Sequence, residues 1–158
     1  MSDRSLGAPS STSSLSPALS QLRILVVDDN ESIRMFLADV LPASGYAVTT
    51  ACDGPTAIEE LGRCQPQVVL MDIEMPGLDG CEVCRRIKSH PRTRSIPVVL
   101  VSGRSDTPES AALAGADAFL QKPFLIEDLL KRIRFLLGPS AGSALPVRRD
   151  NTELGKEI

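Results

Sequence analysis

Five side chains in this sequence could do chemistry together if the fold brings them to one place. Asp28 and Asp29 follow the apolar run ILVV, Asp72 closes VVLM, Ser102 follows VVLV, and Lys122 with Pro123 follows AFLQ. Three carboxylates brought close raise one another's pKa and destabilise the fold that holds them. A hard divalent cation offsets that repulsion, and Mg²⁺ prefers carboxylate oxygens while keeping several waters. Asp72 then has two roles open to it, third metal ligand or nucleophile. A carboxylate accepts a phosphoryl group to give an aspartyl phosphate. Such a transfer needs chiefly positioning and neutralisation of oxygens, which a cation, Lys122 and the Ser102 hydroxyl can supply.

The pocket exists only if several separate runs end side by side. Branched and aliphatic runs at residues 23–27, 47–51, 68–71, 98–101 and 118–120 predict five strands. Helix-period segments lie between them. Asn30 caps the first, whose stripe is Ile33, Phe36, Leu37, Val40 and Leu41. Asp53 caps the second, with Ala57, Ile58 and Leu61. Asp79-Gly80 turns into the third, with Val83, Cys84 and Ile87. A short fourth covers about residues 108–114, and the last carries Ile126, Leu129, Leu130, Ile133, Leu136 and Leu137. Strands alternating with helices predict an α/β fold, a single doubly wound five-stranded parallel sheet with five helices on its two faces. Right-handed crossovers point every strand the same way, so all the strand ends share one edge, where ligands of such sheets bind.

Composition narrows the setting. A net charge of −3 over 158 residues offers no nucleic-acid face, and no apolar run is long enough for a membrane span. Four cysteines without a secretion signal fit a reducing cytoplasm. Residues 1–20 hold eight serines and two prolines and are expected to be a disordered tail. Residues 21–137 form the expected domain, and 138–158 a flexible tail or linker.

The motifs LVVDD, MDIEMPGLDG, VVLVSG and FLQKPF, in that order, resemble a bacterial response-regulator receiver domain, over about residues 21–137. The resemblance implies a flavodoxin-like fold and a phosphorelay switch in place of a turnover enzyme. It makes Asp72 the phosphoacceptor, with Asp28 and Asp29 binding Mg²⁺ and Asp29 the direct ligand. Asp72 also faces the ion, and the main-chain carbonyl of Glu74 completes the metal shell. Ser102 matches the switch hydroxyl, Phe119 the switch aromatic and Lys122 the phosphate-binding lysine, and Lys122–Pro123 is a cis-peptide candidate. Gly103 is small, as a phosphodonor's approach requires. The implied partners are a histidine kinase or histidine phosphotransfer protein and a downstream output protein or domain, reached through the helix 4, strand 5 and helix 5 face. A phosphorylation-dependent dimer belongs to the same expectation. Two departures stand out: the switch pair is Ser102 and Phe119 where Thr and Tyr are commoner, and the 102–122 segment is slightly short.

Other readings weigh less. Glu74 and Arg104, each two residues past a strand-end site residue, are candidate modulators of phosphate lifetime, though two solvated charges explain them equally well. Cys81-x-x-Cys84 lacks the second Cys or His pair a zinc site needs, and His90 has no partner in sequence. A dehalogenase-type phosphatase wants its two acids spaced Asp-x-Asp at the end of strand one, and DDNES does not provide that. A non-phosphorylated interaction module is disfavoured because all the key groups are present. The chain also fits a receiver cut from a longer protein, such as an output-domain protein or hybrid kinase.

Overall fold

The computed structural model describes residues 21–103 and 108–138. The tails expected at 1–20 and 138–158 therefore lie outside the described residues, Gly138 excepted. Strands β1 (Leu22–Val27), β2 (Tyr46–Ala51), β3 (Val68–Asp72), β4 (Val98–Ser102) and β5 (Ala118–Gln121) form one parallel sheet in the order β2-β1-β3-β4-β5. Helices α1 (Glu31–Val40), α2 (Gly54–Cys64), α3 (Gly80–Ser89), α4 (Pro108–Leu113) and α5 (Ile126–Leu137) connect them.

Successive residues of a strand point to opposite faces, so each central strand needs two apolar sets. β3 and β4 are buried at every position. Leu25, Val27, Val69, Met71, Val98 and Leu100 pack on one face with α2, α3 and α4 through residues such as Ala57, Leu61, Val83, Ile87 and Ala111. Ile24, Val26, Val68, Leu70, Val99 and Val101 pack on the other with Leu37 of α1 and Leu129 and Ile133 of α5. The unbroken valine-rich runs are what burial on both faces demands. The strand order reverses between β1 and β3, and this is where the strand ends open a crevice.

The caps expected at Asn30 and Asp53 hold, and Asp79, expected only to turn, caps the third helix. Asn30 Oδ1 accepts from the amides of Ser32 and Ile33, Asp53 from Thr56 at 2.8 Å, and Asp79 from Glu82 at 2.9 Å. The first helix stops one residue short of Leu41, because Pro42 has no N–H for the ladder; the chain instead makes a 3₁₀ turn over Leu41–Ser44, closed by Gly45 at φ 91°. Ile58 departs from the expected stripe. α2 buries Gly54, Ala57 and Leu61, and Ile58, one position round, is exposed beside the groove between α2 and α3.

Arg23 ties the far end of α2 to the sheet. Its guanidinium donates to the carbonyls of Cys64 and Gln65, at 2.7 and 2.9 Å, where Gln65 ends the helix at φ 44°. These are orphan helix-end carbonyls, which a cation satisfies well. Arg23→Met keeps the stem and removes the donors. It is expected to lower the urea-unfolding free energy by about 1–2 kcal/mol without changing m.

Candidate functional site

β1 delivers Asp28 buried and Asp29 exposed. Asp28 is fixed from all sides. Its amide donates to Ala51 O, its Oδ1 accepts from the Asn30 amide at 2.8 Å, and its Oδ2 lies 3.1 Å from Lys122 Nζ. Arg34, one turn into α1, donates to the Asp28 carbonyl at 2.6 Å. Nothing in the sequence pattern singled out Arg34. The available signal was a lone basic residue on the first turn of the helix that follows two acids.

β3 ends on Asp72, 5% exposed, and β5 leads into Lys122, whose ammonium stands 3.5 Å from Asp72 Oδ1. The Lys122–Pro123 peptide is cis. Each of Asp28, Asp29 and Asp72 offers a carboxylate oxygen, and these atoms lie within 4.8 Å of one another. Burial pushes the Asp72 carboxyl up to about 6 and the Asp28 carboxylate adds to the rise, while Lys122 and a backbone hydrogen bond at Glu74 pull the other way. Burial works against the Lys122 ammonium, yet Asp28 and Asp72 outweigh it and hold its pKa above the ordinary lysine value. The group is a charge cluster with more negative than positive members.

A metal fits this set on an observation independent of any analogy. Asp72 Oδ1 is buried and accepts no hydrogen bond. Buried polar atoms are normally paired, and the Lys122 ammonium 3.5 Å away offsets only part of the charge this oxygen shares with the neighbouring carboxylates, which marks a place for a further cation or an incoming group. The donor set is all oxygen, which suits a hard ion such as Mg²⁺.

The remaining expected residues arrive as follows. Ser102 ends β4, is fully buried, and its Oγ donates to Glu74 Oε1 at 3.0 Å. Phe119, on β5 opposite Leu100, is half-buried against the α2–α4 face of the core. Gly103 lies beside Lys122, where an added Cβ would meet only ordinary contact. Arg104 lies outside the described residues, so the expected Glu74–Arg104 juxtaposition has no described geometry. Asp79-Gly80, a simple turn by its sequence, does more than turn. A Cβ on Gly80 would overlap the Asp72 main-chain carbonyl, so this glycine lets α3 start directly against the end of β3.

The family model for the response regulator receiver domain matches residues 24–134. The chain belongs to the response-regulator receiver family. This receiver domain is 46% identical over 117 residues to Response regulator PleD of Caulobacter vibrioides, covering 72% of the chain and 26% of that protein. It is 42% identical over 118 residues to Response regulator MprA of Mycobacterium leprae, covering 73% of the chain and 51% of that protein. The receiver thus spans between a quarter and a half of these relatives' lengths. Among solved structures, the chemotaxis protein CheY4 of Vibrio cholerae aligns with a TM-score of 0.69 at 29% identity, over 74% of this chain and 99% of that one. Two-component signalling is therefore the setting of this receiver. No helix among its described residues is long and apolar enough to cross a membrane.

Proposed function

We propose that the receiver is a phosphoacceptor switch in which Asp72 takes a phosphoryl group from a phosphohistidine, carried by a histidine kinase or a histidine phosphotransfer protein. The observation that carries this reading is the buried, hydrogen-bond-free Asp72 Oδ1 beside Lys122 and two further carboxylates. Asp72 is largely ionised at neutral pH despite its raised pKa, so it can act as the nucleophile. One of its carboxylate oxygens bonds to phosphorus as the phosphorus–nitrogen bond of the donor breaks and the imidazole leaves. Lys122, held between Asp28 and Asp72, is placed to pair with the oxygens of the transferred group.

Mg²⁺ suits the same carboxylates and, when bound, neutralises charge on the phosphoryl oxygens. The role of direct ligand falls best to Asp29, since both oxygens of Asp28 already have partners in Asn30 and Lys122. The Glu74 main-chain carbonyl follows Asp72 closely enough in sequence to join them. With phosphate in place, Ser102 turns its hydroxyl to the phosphoryl group and Phe119 repacks. No phenolic hydroxyl reports that movement, so packing alone carries it. The affected surface is α4, β5 and α5, where Leu113 and Phe135 are each 83% exposed. Exposed large apolar side chains on these two helices suit an output partner, an attached output domain or a second phosphorylated copy. The device is stoichiometric, a population shift rather than turnover.

The test is labelling by acetyl phosphate with and without Mg²⁺, followed by intact mass and peptide mapping. The expected result is one Mg²⁺-dependent phosphoryl group, at Asp72. No uptake supports an inert receiver-like module, and rapid multiple turnover supports a phosphatase; either outcome overturns the switch.

A further inference from the structure

The hydroxyl that the switch needs is already engaged. Ser102 Oγ is fully buried and donates to Glu74 Oε1 across 28 positions of sequence, while Glu74 itself is only half-buried. A hydroxyl has one proton to give. While it is given to Glu74, it is not available to an oxygen on Asp72. Glu74 stands two residues beyond the phosphoacceptor, on the loop that joins β3 to α3, so its carboxylate reaches Ser102 from the rim of the same pocket.

We propose that the Glu74 side chain is a latch for the resting state, holding Ser102 away from the phosphoryl position and setting how readily the switch turns over to its activated form. This rests on the phosphoacceptor reading above and adds to it a positioning residue. In the activated form the Ser102 hydroxyl turns its hydrogen bond from Glu74 Oε1 to a phosphoryl oxygen, and the half-buried Glu74 carboxylate gives up that one bond. One charge-assisted hydrogen bond is exchanged for another, so the acceptor's strength sets the balance. A ligand that favours the activated form then binds more tightly whenever the resting form is weakened.

A hydrogen bond to a charged acceptor is worth a factor of roughly ten to a hundred in an equilibrium, and solvent at Glu74 reduces that. Beryllofluoride with Mg²⁺ serves as the phosphoryl probe, with its dissociation constant read by isothermal titration calorimetry. Glu74→Ala is expected to tighten beryllofluoride binding roughly three- to thirtyfold, and Glu74→Gln, a neutral acceptor of the same shape, to fall between it and the wild type. In a Ser102→Ala background, Glu74→Ala is expected to change the constant by less than about twofold, because the hydroxyl it acts through is gone. A gain that persists without the hydroxyl, or no gain in either Glu74 variant, overturns the latch while leaving the phosphoacceptor reading intact. If the wild-type chain does not bind beryllofluoride at all, both fall together.

Discussion

Asp72→Asn is expected to abolish labelling by acetyl phosphate and, at the same time, to make the metal-free protein more stable by about 2 kcal/mol at pH 7. The two effects share one cause. Asp72 is raised from 3.8 to about 6, first by burial and then by Asp28. Between those values the folded chain holds a proton that the unfolded chain has already lost. Stability of the wild type therefore falls as pH rises from about 4 to about 6, and stays at the lower level above that. A rise of that size corresponds to roughly 3 kcal/mol, of which the neutral amide recovers most, its own burial costing the remainder. Urea unfolding in EDTA at pH 4.5 and pH 7 measures this: the wild type is expected to lose stability between the two, and the variant to lose markedly less from this site. Mg²⁺ is expected to stabilise the wild type at pH 7 and the variant much less. A variant less stable than wild type at pH 7 contradicts the repulsive cluster.

The parts of the site that were legible in the sequence are those whose placement follows from where an apolar run stops. VVLM must be inside and so Asp72 comes at the edge; the same holds for Asp28, Ser102 and Lys122. In a parallel sheet each run's C-terminal end lies on the same side, so sequence pattern becomes proximity without any knowledge of side-chain geometry. The order of elements and the helix caps were legible for a similar reason, since each is decided within a few residues. What was not legible depends on loops and on pairs far apart in the chain. Arg23 reaches carbonyls more than forty positions away, and Ser102 finds Glu74 only because the end of β4 and the loop after β3 meet at the same rim. Arg34 acts through a main-chain carbonyl, which leaves no chemical trace in the identity of its partner. Ile58 misled because an apolar residue at the margin of a stripe satisfies the helical period as well as one at its centre. Gly80 reads from sequence only as a turn, since an empty side chain announces nothing about what would collide with a larger one.

That collision leads to the second large effect. Gly80 opens α3, and its amide donates to Ile73 O at 2.9 Å, so the helix start is bonded to the chain just past Asp72. An added Cβ would overlap the Asp72 carbonyl oxygen and come within 2.9 Å of the Asp72 carbonyl carbon and Ile73 Cα. These atoms are backbone at the end of the fully buried β3, and no rotamer change moves them aside. Gly80→Ala must therefore shift α3 away from the sheet or push the end of β3 out of line. Overpacking of this kind costs about 3 kcal/mol. The functional loss is expected to exceed the structural one, because a displacement of about 1 Å at a reacting group can cost roughly a hundredfold in rate. Acetyl phosphate labelling of the folded variant is expected to slow by roughly that factor. Gly62→Ala is the matched control, a glycine inside α2 where a Cβ meets nothing within 4 Å. There the same substitution is expected to stabilise by about 0.5–1 kcal/mol and leave labelling unchanged. If Gly80→Ala behaves like Gly62→Ala in both measurements, Asp72 is not positioned by the close seating of α3 on β3.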